Sequence, residues 1–155
     1  MRARLSFALA ALIGATPAFA AVTVTYGDPD KFFDVGDRSN DPRKVMQAIE
    51  KHLQALGAKL LPKANIAIEI LDVDRAGRPR MNLPTEIRIM SGKGDMPCID
   101  LSYSLNGAPP VKERVCDPEF LRPLEFRYNE HDPLAYDKRM LDQWFTRRFV
   151  KGDAK

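Results

Sequence analysis

The chain has only two cysteines, too few for a disulfide-framework miniprotein or a four-thiolate zinc module. It has two histidines and no H-E-x-x-H helix, G-x-S-x-G elbow or phosphate-binding loop, which removes the common signatures of metalloprotease, serine hydrolase and nucleotide chemistry. No apolar run reaches the ~18 residues needed to span a bilayer. There is no internal repeat and no low-complexity tract. What remains is a chain of 155 residues, 45% hydrophobic and 29% charged, with a formal net charge of +3. Those values suit one globular domain rather than a disordered chain.

The first twenty residues read as a cleavable export signal. Arg2 and Arg4 supply a positive start, Leu5 to Ala15 an apolar stretch, Pro17 a break, and Ala18-Phe19-Ala20 a small-x-small cleavage box. No cysteine follows the apolar stretch, so no lipid attachment is indicated. Cleavage near Ala20 leaves 135 residues, 21–155, as a single domain in the periplasm or secreted. The signal holds two arginines and no acid, so the exported chain carries 22 basic against 21 acidic residues, or +1. The electrostatic argument for a nucleic-acid partner leaves with the signal.

Val22 to Tyr26 alternates apolar and polar residues and predicts a strand, ended by the turn Gly27-Asp28-Pro29-Asp30. Asp41 as N-cap and Pro42 at the first helical position predict a helix. Its apolar stripe is Val45, Ile49, Leu53 and Leu56, and Gly57 is expected to stop it. Ile66, Ile68 and Ile70 make one face of a second strand, with Leu71 and Val73 on the other. Ile87 to Ile89 predicts a short third strand, and Ser91 to Asp95 a turn. Ile99, Leu101, Tyr103 and Leu105 alternate with polar residues, Asn106-Gly107 marks a hairpin, and Val111 to Val115 returns. Pro109 and Pro110 place that return strand at a sheet edge. Asp132 as N-cap and Pro133 open a last helix with Leu134, Leu141, Trp144, Phe145 and Phe149 on one face. The order β-α-β-β-β-β-α predicts an α+β fold: a mostly antiparallel sheet of four or five strands with both helices on one face.

The hairpin allows a register test. Pairing apolar with apolar sets Tyr103 opposite Val111 and Ile99 opposite Val115, which also sets Cys98 opposite Cys116. A slip of one residue would turn a face inside out. In an oxidising compartment that register predicts a disulfide. Two free thiols or a redox pair are the alternatives, although the spacing is not C-x-x-C.

Among polar residues, Asp28, Asp30, Asp34 and Asp37 cluster, but their spacing matches no calcium loop, and aspartates are common turn formers. Asp72, Asp74 and Gly77 approximate a calcium loop that fails at Ala76 and Leu83, where oxygen donors are required. His52 falls in the apolar stripe of the first helix and reads as a partly buried, hydrogen-bonded histidine. His131 sits beside Asp132, whose role is accounted for by capping. Arg147, Arg148 and Lys151 suit a helix C-terminus.

Several segments together carry a family resemblance. They are Val22-x-Val24-x-Tyr26-x-Asp28-Pro29-x-Lys31-Phe32-x-Asp34, then Leu53-x-x-Leu56-Gly57, then Ile68-x-Ile70-x-Asp72-Val73-Asp74-x-Ala76-Gly77. Met96-Pro97-x-Ile99-x-Leu101-x-Tyr103 follows, and the most specific is Asp132-Pro133-Leu134-x-Tyr136-x-Lys138-Arg139-Met140-Leu141-Asp142-x-Trp144-Phe145. The chain resembles the bacterial family catalogued as domain of unknown function 3016. Where Met96 stands a tryptophan is expected in that family, and the cysteine pair is not associated with it. The resemblance implies an exported envelope protein with no assigned activity, and it supplies no catalytic residues.

The expected function is a non-catalytic periplasmic protein that binds or supports another envelope component or a ligand, with no cofactor. The expected binding surface joins the acidic loop from Asp28 to Asp37 with the segment from Asp132 to Lys138, where Asp28, Asp34, Asp132, Tyr136 and Lys138 are the candidate contacts. A second reading is a small periplasmic enzyme, with or without a metal ion, using some of Asp28, Asp34, Asp72, Asp74 and His131. A third is adhesion to membrane or cell wall through the basic C-terminal helix.

Overall fold

The computed structural model describes residues 21–36, 41–80, 87–129 and 131–152. The expected export signal, Asp37 and Leu83 lie outside these. Strand β1 (Val22–Tyr26) leads through a short 3₁₀ turn to helix α1 (Pro42–Leu60). Strands β2 (Ile66–Asp74), β3 (Arg78–Pro79), β4 (Arg88–Ile89), β5 (Cys98–Leu105) and β6 (Val111–Cys116) follow, then helix α2 (Ala135–Phe145), continued by a π-helical segment (Thr146–Val150).

The fold is α+β with one four-stranded sheet, in the order β1-β2-β5-β6. The expected mostly antiparallel sheet is mixed. β1 runs parallel to β2 because α1 carries the chain back to the same end, while β2–β5 and β5–β6 are antiparallel. The strand around Ile87 to Ile89 does not join this sheet. It pairs with β3, a strand the sequence pattern did not indicate, in a separate two-stranded ribbon. The order therefore has one more strand than expected.

The hairpin register is Tyr103 opposite Val111, Ile99 opposite Val115 and Cys98 opposite Cys116, and the two cysteines form a disulfide. β6 is an edge strand. In β2 a bulge between Ile70 and Asp72 changes the alternation. Val73, expected on the opposite face from Ile70, thereby returns to the core and packs opposite Ile99.

Asp41 caps α1 through its Oδ1, which accepts from the Arg43 N–H at 3.0 Å, and Pro42 fills the first position. Val45, Ile49 and Leu53 are buried. Gly57 does not stop the helix, as expected, but lies inside it. A β-carbon there would collide with the Val22 side chain, so the glycine allows α1 to settle on β1. At the other end, α2 starts at Ala135 rather than at Pro133. Asp132 instead shapes the preceding turn, its Oδ1 accepting from the Leu134 N–H at 2.9 Å.

One apolar cluster joins Ile66, Ile68, Ile70, Ile99 and Leu101 of the sheet to Ile49 and Leu53 of α1 and Met140, Leu141, Trp144 and Phe145 of α2. Thr23, Thr25, Ala67, Glu69 and Lys112 point the other way and are exposed. Trp144 meets Tyr103 and Phe149 edge-on, with ring centroids 5.7 and 5.4 Å away. Its indole N–H donates to Glu113 Oε2 at 3.2 Å. Arg148 donates to the other Glu113 oxygen at 2.7 Å, so this cation turns inward to β6.

Candidate functional site

The segment after β2 is unusually charged for a buried turn. Arg75, Ala76 and Gly77 are all buried. Gly77 has φ +73°, a left-handed conformation that suits glycine, and it lets the chain fold into the ribbon. Arg88 of β4, with its side chain 6% exposed, reaches back across this turn. Its guanidinium donates to the carbonyls of Ala76 at 2.7 Å and Gly77 at 2.6 Å, and it pairs with Asp34. Asp95 pins the far side: Ser91 donates to it from both N–H and Oγ at 2.8 Å, and Arg78 donates at 2.7 Å. Those bonds hold the Asp95 carboxyl down to about 2.

Beneath the turn lies Asp137 of α2, 1% exposed. Its Oδ1 accepts from the Ala76 N–H at 3.3 Å, and its Oδ2 has no hydrogen-bond partner among the described residues. Burial pushes this carboxyl up to about 6, against the opposing pull of Arg75 and Arg88.

Above the turn, between the ribbon and the start of α2, is a cleft of about 420 Å³. Its walls include Ile87, Arg88, Met90, His131, Asp132 and Tyr136. Tyr136 is braced edge-on by Phe120 at 6.3 Å and lies under the Arg139 guanidinium at 5.3 Å. Arg139 is itself fixed, donating to Asp117 Oδ2 from Nε at 3.1 Å and from Nη2 at 3.0 Å, with both side chains buried.

Of the residues expected at a binding surface, Asp132 and Tyr136 line this cleft, and Lys138 holds Asp132 Oδ2 at 2.5 Å. Asp34 reaches the cleft wall through Arg88. Asp28 does not line it: its Oδ1 caps the 3₁₀ turn at Asp30 and its Oδ2 pairs with Lys31 at 2.9 Å. Of the carboxylates of the enzyme reading, Asp28 and Asp72 bond elsewhere, whereas burial and the neighbouring Asp34 and Asp72 raise the Asp74 carboxyl. Asp72 accepts from the Phe33 N–H at 2.7 Å and Val73 N–H at 2.9 Å, and Asp74 neighbours Asp34 across a backbone bridge. Among the described residues no three His, Cys, Asp or Glu side chains are grouped to hold a metal ion. No helix of the described residues is long and apolar enough to cross a membrane.

A second cleft, of about 270 Å³, escaped the sequence pattern. It is lined by His52 and Lys59 of α1, by Asp142 of α2, and by Arg127 and Thr146. His52 is partly buried, and its Nε2 lies 2.7 Å from Asp142 Oδ1. The Tyr128 hydroxyl donates to Asp142 Oδ2 at 2.6 Å. Burial alone would raise the Asp142 carboxyl, but the bonds from His52 and Tyr128 outweigh it and hold the carboxyl below the usual range. The same burial, with the bond to Asp142, pushes the Tyr128 hydroxyl well up.

No curated protein and no solved structure matches the chain. The family model described as "Protein of unknown function (DUF3016)" matches residues 20–147, covering the sheet, both helices and both clefts, and the chain therefore belongs to the DUF3016 family.

Proposed function

We propose that the protein is an exported, non-catalytic binding module of the bacterial envelope, with its binding site in the cleft between the β3–β4 ribbon and the start of α2. The observation that carries this reading is how the charged groups around that cleft are used. Arg88, Asp132 and Arg139 are all committed to partners that shape the walls. Tyr136 has no hydrogen bond from its hydroxyl among the described residues, and it stands beside Ile87 and Met90. A braced tyrosine next to apolar side chains is a surface suited to recognition. His131 at the rim is exposed, and no described carboxylate is bonded to its ring. The export signal, with cleavage near Ala20, supports placement in the periplasm or outside the cell.

A photo-crosslinking residue placed at Tyr136, with a control at exposed Glu69 on the open sheet face, tests the site in a bacterium expressing the protein. A discrete adduct at position 136 alone is expected. Equal or no crosslinking at the two positions would overturn the assignment of the cleft. N-terminal sequencing of the protein from an osmotic-shock fraction tests export, with Ala21 as the expected first residue.

A further inference from the structure

We propose that the second cleft, between α1 and α2, binds a small anion, a phosphate or carboxylate group. Three nitrogen-bearing side chains, His52, Lys59 and Arg127, line it together with Thr146, which can donate from its hydroxyl. Among the described residues Asp142 is its only lining carboxylate, and both Asp142 oxygens are already engaged, Oδ1 by His52 and Oδ2 by the Tyr128 hydroxyl. Lys59 pairs with no carboxylate among the described residues. Arg127 pairs with Glu125 at 2.9 Å through side chains that are both more than half exposed, an interaction of little strength, and approaches Asp142 only to 3.8 Å. Among the described residues, the cleft thus holds positive charge that its own acids do not neutralise.

The geometry is also held in advance. With Asp142 ionised, the carboxylate can only accept, so His52 Nε2 carries the proton and Nδ1 is the ring nitrogen left for a ligand. Tyr128 fixes the other side of the carboxylate, so the imidazole cannot swing without losing a part-buried bond. The His52 imidazole, a lysine and a guanidinium around about 270 Å³ form a site for one charged group with a short organic body.

The test is a titration of the purified protein followed by NMR at constant ionic strength and pH 6, with inorganic phosphate and, separately, acetate. Saturable shifts are expected for the His52 ring and for the amides of Lys59 and Thr146. The Lys59→Gln/Arg127→Gln double variant should bind at least tenfold more weakly, and a control Lys112→Gln variant, on the open sheet face, should bind as the parent does. Both altered side chains lie at the rim, and unchanged Trp144 emission verifies the fold. Stronger binding of phosphate assigns a phosphate group, and equal binding a carboxylate. A parallel sedimentation with phosphatidylglycerol vesicles separates a lipid headgroup from a soluble anion: co-sedimentation lost in the double variant assigns the headgroup. Linear shifts spread over all exposed cations, or a double variant that binds like the parent, would overturn the proposal. Neither result bears on the Tyr136 cleft, which shares no lining residue with this one.

Discussion

Gly57 of α1 lies so close to Val22 of β1 that no β-carbon fits between them. In an unconstrained helix, replacing glycine with alanine stabilises by about 1 kcal/mol. Here the contact reverses the sign. Gly57→Ala should destabilise the protein by about 1–3 kcal/mol, the usual cost of overpacking. Urea denaturation followed by Trp144 emission measures it, and adding Val22→Ala should recover part of the loss. A more stable Gly57→Ala protein would show that the helix does not need this approach.

The Cys98–Cys116 disulfide closes a short loop, 18 residues apart in sequence. Its removal should cost about 3 kcal/mol in the chain-entropy account. The Cys98→Ala/Cys116→Ala variant and the parent compared under non-reducing conditions supply the difference. Alkylation without reductant should label no thiol, and two labelled thiols would contradict the bond.

Asp137 gives the protein a defined pH signature. Folded, its carboxyl holds a proton up to about 6, whereas an unperturbed aspartate releases it near 3.9. Between those values the native state binds more protons than the unfolded chain, so this group's contribution falls as pH rises from about 4 to 6 and is flat above. The full change is about 3 kcal/mol for a shift of this size. Asp137→Asn removes the titration. The parent-minus-variant stability difference should slope downward across that window, and a level difference would rule the raised value out.

The Arg139–Asp117 pair is buried on both sides. Arg139→Ala leaves Asp117 charged and without its partner, and should cost about 3–5 kcal/mol. Replacing both, as Arg139→Met/Asp117→Leu, should cost distinctly less, because no stranded charge remains. Since Arg139 also roofs Tyr136, the single variant should lose crosslinking at position 136 even where it stays folded.

The parts of the fold legible in the sequence are those set by neighbours along the chain. Ile99, Tyr103, Val111 and Val115 specify the hairpin because their period of two and the short turn leave one register that buries them, and the cysteines fit it. Asp41-Pro42 specifies a helix start for the same local reason. The parallel pairing of Val22 with Ile66 is set by how a crossover helix packs, which no local pattern records. Gly57 was ambiguous because glycine serves both a left-handed stop and a close approach. Asp132 precedes the helix start because in a turn, as in a helix cap, a side-chain oxygen accepts from the N–H two residues on. At the sites, Asp132 and Tyr136 lie close along the chain and are readable together. Arg88 finds Asp34 across 54 residues and His52 finds Asp142 across 90, distances over which a sequence carries no periodic trace.

The two edges of the sheet are fastened by different means. β6 is bolted to β5 by a covalent bond, while β1 is held to β2 by hydrogen bonds and by its packing under α1. Mechanical load applied along the chain therefore meets unequal resistance. The N-terminal edge should yield first, while the disulfide-linked β5–β6 hairpin should hold its shape longer.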